Sequence, residues 1–342
     1  MRQRRLVKAG VFADLVDGMD RIIAAGVGGL GSRSDVINEA LDAYIAEMTL
    51  DWQARPGNST AGKLPSPDAV GVESYAARVA EEAGELHVPS ATELLSDGQC
   101  LVNTGPLFFH NRDYPSLWAA LTIAELTREG LLPFDKIVKE TTSRAWRFAE
   151  GLRSIDAAEL KPTVLFPTNR EKRDAAEAAF RSFAIGTCSR DGSSIICGGP
   201  LFVWGICQAK LENEAIVAGI TPHGFELLRS MDGLDACMPH DEAYANKFFA
   251  YVRENAPDDL WGFQMICRLV RDKPSREQLL NGFGAAAKRK GFTWTAHQIA
   301  NYVSGYISRA REWGLVVPKL VAGRYELTRF GNVMREEFEV AA

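Results

Sequence analysis

The sequence predicts a mostly α-helical chain with small β elements (an α+β protein) built from several domains. Three observations predict it. Apolar residues recur at helical spacing through most of the 342 residues. Period-two alternation is confined to short runs, chiefly 4–11 and 315–328. Residues 51–72, DWQARPGNSTAGKLPSPDAVGV, are rich in Pro, Gly, Ser and Thr, the composition of a tether. The expected division is an N-terminal domain over 1–50, a linker with one helix over 51–96, a mixed region over 97–258 and a C-terminal domain over 259–342.

Composition is that of an ordinary globular protein, with 46% hydrophobic and 24% charged residues. No apolar run approaches the roughly 20 residues that span a bilayer. The basic start, MRQRRLVKAGVFADL, lacks the long apolar stretch of an export signal. The expectation is a cytoplasmic, nucleoid-associated protein. Six cysteines form no CxxC pair, so buried reduced thiols are expected and a metal site is not. Net charge is −5 but unevenly spread. Residues 259–342 hold 13 Lys and Arg against 8 Asp and Glu, while Arg2, Arg4, Arg5 and Lys8 crowd the first eight positions. Cations at both ends and an acidic middle point to a polyanion partner at the ends.

In residues 4–11, RRLVKAGV, the positions Val7, Ala9 and Val11 share one face of a strand. Arg4, Leu6 and Lys8 share the other. An amphipathic helix follows over about 13–25, marked by Leu15, Met19, Ile22 and Ile23. The run GVGGLG at 26–31 breaks it. Ser32, three residues before Asp35, then opens a second helix with a near capping box. One strand and two helices of this order, with Ser32-Arg33-Ser34-Asp35-Val36-Ile37-Asn38-Glu39-Ala40-Leu41 at the second helix, resemble the ribbon-helix-helix family of repressors and antitoxins. Fifty residues bury too little surface to stand alone. The resemblance implies a homodimer whose paired strands form a ribbon in the major groove of double-stranded DNA. Arg2, Arg4, Leu6 and Lys8 would then contact the groove. Ser32, Arg33 and Ser34 would hold a phosphate at the helix N-terminus.

In the middle region, helices are expected near 115–128, 135–152, 171–183 and 201–211. A four-residue echo, Gly105-Pro106-Leu107-Phe108 and Gly199-Pro200-Leu201-Phe202, hints at duplication. At 216–231 a strand runs into Thr221-x-x-Gly224, with Thr221 as cap and Pro222 at the first helical position. The C-terminal region repeats that pattern. Trp261–Arg271, the segment opened by Ser275, and Thr295–Trp313 read as three helices, the second with a Ser275/Gln278 capping box. Gly314 stops the third. Residues 315–328 read as two strands joined at Ala322-Gly323, before Thr328-x-x-Gly331 opens a last helix.

This order resembles winged-helix DNA-binding domains. On the third helix Ile299, Val303, Ile307 and Ala310 make the expected inward stripe. Gln298, Asn301, Tyr302, Ser304, Ser308, Arg309 and Arg311 include the outward positions. Gln, Asn and Arg suit base edges, so Gln298, Asn301 and Arg309 are the expected readers. Lys288, Arg289, Lys290, Lys319 and Arg324 are the expected phosphate contacts.

No nucleotide-loop, nucleophile-elbow or zinc-protease motif occurs, so neither an enzyme nor a cofactor is expected. The segments His110–Asp113 and Asp156/Glu159/Lys161 lack the spacing of a nuclease centre. The function expected is a dimeric, sequence-specific transcriptional repressor. A plasmid-maintenance, replication or anti-phage component, a nuclease and a protein scaffold are the alternatives. The double variant Arg4→Ala, Lys8→Ala should weaken duplex binding by about 1 kcal/mol or more per lost contact in a gel-shift titration. It should leave the dimer intact in sedimentation; a monomeric variant would reverse the assignment of the strand faces.

Overall fold

The computed structural model describes residues 88–340 apart from 109, 160–165, 168–171 and 237. The ribbon residues Arg2, Arg4, Leu6, Lys8, Ser32, Arg33 and Ser34, and the tether, lie outside them. The described residues form a mostly helical α+β fold with two small sheets. Strand β1 (Cys100–Val102) leads to α1 (Tyr114–Leu126), β2 (Leu132–Pro133) and α2 (Phe134–Glu159). Next come α3 (Arg173–Phe180), a π-helical turn over Arg181–Ile185, and the hairpin β3 (Thr187–Asp191) and β4 (Ser194–Gly198). The turn α4 (Pro200–Val203), hairpin β5 (Cys207–Glu212) and β6 (Ala215–Ile220), α5 (Pro222–Ser230) and α6 (Glu242–Asn255) follow. Helices α7 (Pro257–Val270), α8 (Arg276–Arg289), α9 (Ala296–Glu312) and α10 (Arg329–Val340) complete the chain.

Strand β4 pairs parallel with β1 and antiparallel with β3; β6 pairs antiparallel with both β2 and β5. Helix α1 is apolar all round and buried from Tyr114 to Ala124, as a helix enclosed on every side must be. A single apolar core runs from Leu107 to Phe338.

Two stretches of chain have the same build. In the first, α4 ends at Trp204, and Gly205 turns the chain at φ 68°. In the second, α9 ends at Trp313, and Gly314 does so at φ 68°. Each glycine leads into a hairpin closed by two residues of positive φ, Asn213-Glu214 and Ala322-Gly323, as a tight two-residue turn requires. Each hairpin returns to a threonine. The Thr221 hydroxyl donates to the Gly205 carbonyl at 2.7 Å and accepts from Gly224 N–H at 2.9 Å. The Thr328 hydroxyl donates to Gly314 at 2.5 Å and accepts from Gly331 N–H at 2.8 Å. Thr221 N–H donates to Ile206, and Thr328 N–H to Leu315. A Cβ on Gly224 would overlap the Ile206 carbonyl, and one on Gly331 the Leu315 carbonyl. The repeated unit is therefore Trp-Gly, hairpin, Thr-x-x-Gly. Each copy closes a longer stretch, the repeat, of which the first runs from β1 to α5 and the second from α7 to α10.

Several expectations need revision. Residues 201–211 are not one helix: Gly205 ends α4 after one turn, and 207–212 pair with β6. Gly105–Phe108 and Gly199–Phe202 are not equivalent parts of a repeat, since the first is loop and the second opens α4. The last four-helix segment starts at Pro257, so a boundary at 258/259 cuts the first turn of α7. Cys188 and Cys197 are cross-strand partners in β3 and β4 and form a disulfide; Cys100, Cys207 and Cys267 are free. No described helix is long and apolar enough to cross a membrane.

Gly331→Ala should cost about 1–3 kcal/mol in urea unfolding, because the methyl group meets backbone that cannot yield. Gly105→Ala, where a Cβ meets nothing nearer than 3.7 Å, should lie within about 0.5 kcal/mol of wild type. Equal effects would show that the packing at Gly331 yields.

Candidate functional site

The two repeats meet across a buried chain of charges. Asp113 immediately precedes α1, and Asp259 lies in the first turn of α7; both are 0% exposed. Carboxylates suit the free N–H groups at helix starts. Between them lies Arg309 of α9, also 0% exposed. Its Nε donates to Asp113 Oδ1 at 2.6 Å. Its Nη1 and Nη2 donate to Asp259 at 2.8 and 2.6 Å, a bidentate pair.

The tryptophans of the repeats cross over. Trp204 of the first donates to Asp259 at 2.9 Å, and Trp313 of the second donates to Asp113 at 2.7 Å. The Tyr306 hydroxyl adds a bond to Asp259 at 2.7 Å. Glu312, 1% exposed, accepts from the N–H groups of Asp113 and Tyr114 at 2.6 and 3.0 Å, and so caps α1 from the end of α9.

Burial pushes the Asp259 carboxyl up, but the Arg309 guanidinium and the bonds from Arg309, Trp204 and Tyr306 outweigh it and hold it at about 2. At Asp113 the same contest, with Arg309 and the bond from His110 opposing burial, also ends below the usual carboxylate range. Burial pulls Arg309 down, and its two carboxylates more than reverse that.

His110 joins this network to the surface. One ring nitrogen, Nδ1, is 2.7 Å from the Phe183 carbonyl oxygen and the other, Nε2, is 2.8 Å from Asp113 Oδ1. Both nitrogens are used inside the protein, so the His110–Asp113 pair is an anchor. Above it opens a cleft of about 500 Å³ between the repeats. One wall is aromatic. Phe292 stacks on Trp294 at 4.4 Å and 6°, and Trp294 on Tyr302 at 3.9 Å and 23°. Phe108 tilts against Tyr302 at 5.0 Å. Ser182, Phe183 and the Gly198-Gly199-Pro200 corner also line the cleft. Both Gly-Pro-Leu-Phe copies contribute residues to this cleft.

The expected site residues divide. Lys288, Arg289, Lys319 and Arg324 are exposed. Lys290 is exposed but bonded to Asp258 at 2.6 Å and set over the Trp261 ring. Arg324 also donates to the Lys273 carbonyl at 3.0 Å. Asn301 is half-buried and contacts His297 at 3.2 Å. Gln298 is committed to a capping box, its Oε1 accepting from Thr295 N–H at 2.9 Å. Arg309 is corrected from base reader to buried ion-pair centre: no atom of it reaches the surface. Tyr302, expected outward, is 9% exposed.

The buried residues Tyr302, Tyr306, Arg309 and Trp313 make a second inward stripe at helical spacing, which the sequence carries and a one-faced reading of α9 misses. Among the described residues no group of His, Cys, Asp and Glu could hold a metal ion. No family model, curated protein or solved structure matches the chain.

Arg309→Met leaves two buried carboxylates without their cation and should cost about 3–5 kcal/mol at pH 7 in urea unfolding. In the native protein the acids sit below an unfolded value near 3.9. Their contribution is therefore whole above pH about 4 and is lost as pH falls toward about 2. In the variant burial is opposed only by the bonds from Trp204, Tyr306, His110 and Trp313, so both acids rise and protonation relieves the deficit. Its deficit should narrow from pH 7 to 4; a constant deficit would mean the carboxylates do not feel Arg309.

Proposed function

We propose that the chain is a sequence-specific double-stranded-DNA-binding regulator. A ribbon-helix-helix homodimer would form the N-terminal end, and the two repeats would act as winged-helix units. The observation that carries this reading is the build of the second repeat. Helices α8 and α9 form a helix–turn–helix, followed by the hairpin over 316–327. Exposed cations stand at two of its edges, Lys288 and Arg289 at the end of α8 and Lys319 and Arg324 in the hairpin. In a winged helix the helix after the turn enters the major groove, and these flanks meet phosphates.

The reading face of α9 differs from the one expected from sequence. With Arg309 buried and Gln298 holding the cap, the exposed polar positions of α9 are His297 and Ser304, with half-buried Asn301 between them. Asn pairs bidentately with adenine, so Asn301 is the principal base reader in this proposal. A short reading face gives modest specificity by itself. Linking it to a dimeric ribbon multiplies the two affinities through effective concentration. Occupancy of an operator, with no chemistry, would then be the mode of action.

Genome-wide mapping of bound DNA supplies the operator, and titration against salt supplies the test. Lys288→Ala with Arg289→Ala should weaken operator and unrelated duplex alike. It should also flatten the slope of log affinity against log salt by about 2. Binding that keeps its slope in the variant, or wild-type affinity that ignores salt, would sink the proposal.

A further inference from the structure

The cleft between the repeats has no place in reading a duplex through α9, and its lining suits a small ligand. Its volume of about 500 Å³ falls in the range of small-molecule pockets, about 300–1,000 Å³. One wall is a column of stacked rings, Phe292, Trp294 and Tyr302. Phe183, 39% exposed, also lines the cleft. The groups available for hydrogen bonds are uncharged, among them the Asn103 amide and the Ser182 hydroxyl. His110, the one lining residue that can carry charge, has both nitrogens engaged by Phe183 and Asp113.

At two lining glycines an added side chain has room. Gly105 and Gly198 adopt no positive φ, so the backbone does not need glycine there. A Cβ at Gly105 meets nothing nearer than 3.7 Å, and at Gly198 nothing nearer than 4.0 Å, so packing does not need it either. The nearest side chain to a Cβ at Gly105 is Asn103, itself a lining residue, and the nearest to one at Gly198 is Thr187. Gly186 and Gly199 differ, since there an added Cβ would collide with backbone.

We infer that the cleft receives one unpaired nucleobase from a DNA strand whose phosphates lie on Lys288 and Arg289. A base is a flat ring that packs against aromatic side chains and makes its hydrogen bonds at uncharged edges, which suits an aromatic lining and the polar groups present. The charge of a nucleotide belongs to its phosphate, and the cations lie outside the cleft. Arg289 is three residues before Phe292, so anchor and wall are within about 11 Å along the chain. The inference rests on the DNA-binding reading and extends it from duplex contact to capture of an extruded base.

The test uses the full chain and fluorescence anisotropy at fixed salt. Three duplexes share one sequence: fully paired, with one central unpaired adenine, and with an abasic residue in place of that adenine. The adenine duplex should bind about tenfold more tightly than the abasic one, the size expected of base–aromatic stacking. Gly198→Leu, and independently Gly105→Leu, should abolish that difference while leaving affinity for the paired duplex unchanged. Equal binding of the adenine and abasic duplexes overturns the inference, as does a preference that survives both substitutions. If both substituted chains lose all binding or fail to fold, the glycines serve the fold and the inference also falls. Free adenosine that binds as tightly as the adenine duplex assigns the cleft to a free nucleoside, and overturns the strand as source. Failure to bind any of the three duplexes sinks the DNA-binding reading itself; binding all three equally sinks only the cleft.

Discussion

The structure depends on the placement of one guanidinium. Three carboxylates, Asp113, Asp259 and Glu312, are sealed from water around Arg309. Isolated buried carboxylates are not tolerated at neutral pH, because removing their hydration costs several kcal/mol each. Arg309 offsets this for two of them with three short bonds; Glu312 is held by two helix-end N–H groups. The arrangement works only if α1, α7 and α9 start and stop where they do. A shift of α9 by one residue would turn Arg309 about 100° away from both acids. The ion triad thus specifies one relative placement of the two repeats. Apolar packing alone, which is not directional, would accept several.

The repeats explain why the triad is where it is. Each ends a helix with Trp-Gly, and each tryptophan donates to the aspartate at the start of the other repeat's first helix. The bonds are reciprocal, but the cation is not. Four residues before Trp313 is Arg309; four before Trp204 is Pro200. One arginine therefore serves both aspartates. Its planar fork reaches two carboxylates on different helices, which a lysine ammonium does not do with the same geometry. Two pseudo-equivalent units with a single cation at their junction form a locked pair. The apolar core passes through the junction without a break.

Much of the local structure was legible in the sequence. The Ser275/Gln278 and Thr295 caps, the stop at Gly314, the Ala322-Gly323 turn and both Thr-x-x-Gly helix starts follow from short-range chemistry, and each appears as expected. Such features are fixed by hydrogen bonds within a few residues. The failures are long-range. An arginine on a helix with one apolar stripe normally points outward, and Arg309 does not. The partners that bury it are 50 and 196 residues away. The Cys188–Cys197 pairing needed the β3–β4 register, which a run as polar as Thr187–Asp191 does not announce. The cleft was illegible for the same reason. Its two Gly-Pro-Leu-Phe segments echo one another in the sequence, but their meeting in space depends on the junction between repeats.

The junction also determines what kind of site the cleft is. Its floor is His110, fixed at both nitrogens, and its walls come from both repeats. Ser182 and Phe183 belong to the π-helical turn, and the Phe183 carbonyl is the group His110 holds. Phe292 and Trp294 lie between α8 and α9, while Tyr302 is on α9 seven residues before Arg309. His110 is thus bonded to the triad directly, and Tyr302 shares a helix with its cation. A site held this way is pre-organised: its shape is set by buried interactions that exist before any ligand arrives. Pre-organisation lowers the ordering entropy lost on binding, which favours a small rigid ligand that supplies few contacts of its own. The same coupling puts the cleft and the helix–turn–helix on one rigid frame, because α9 contributes to the cleft wall, the triad and the proposed reading face. A base held in the cleft would therefore fix the angle at which α9 meets the adjoining duplex.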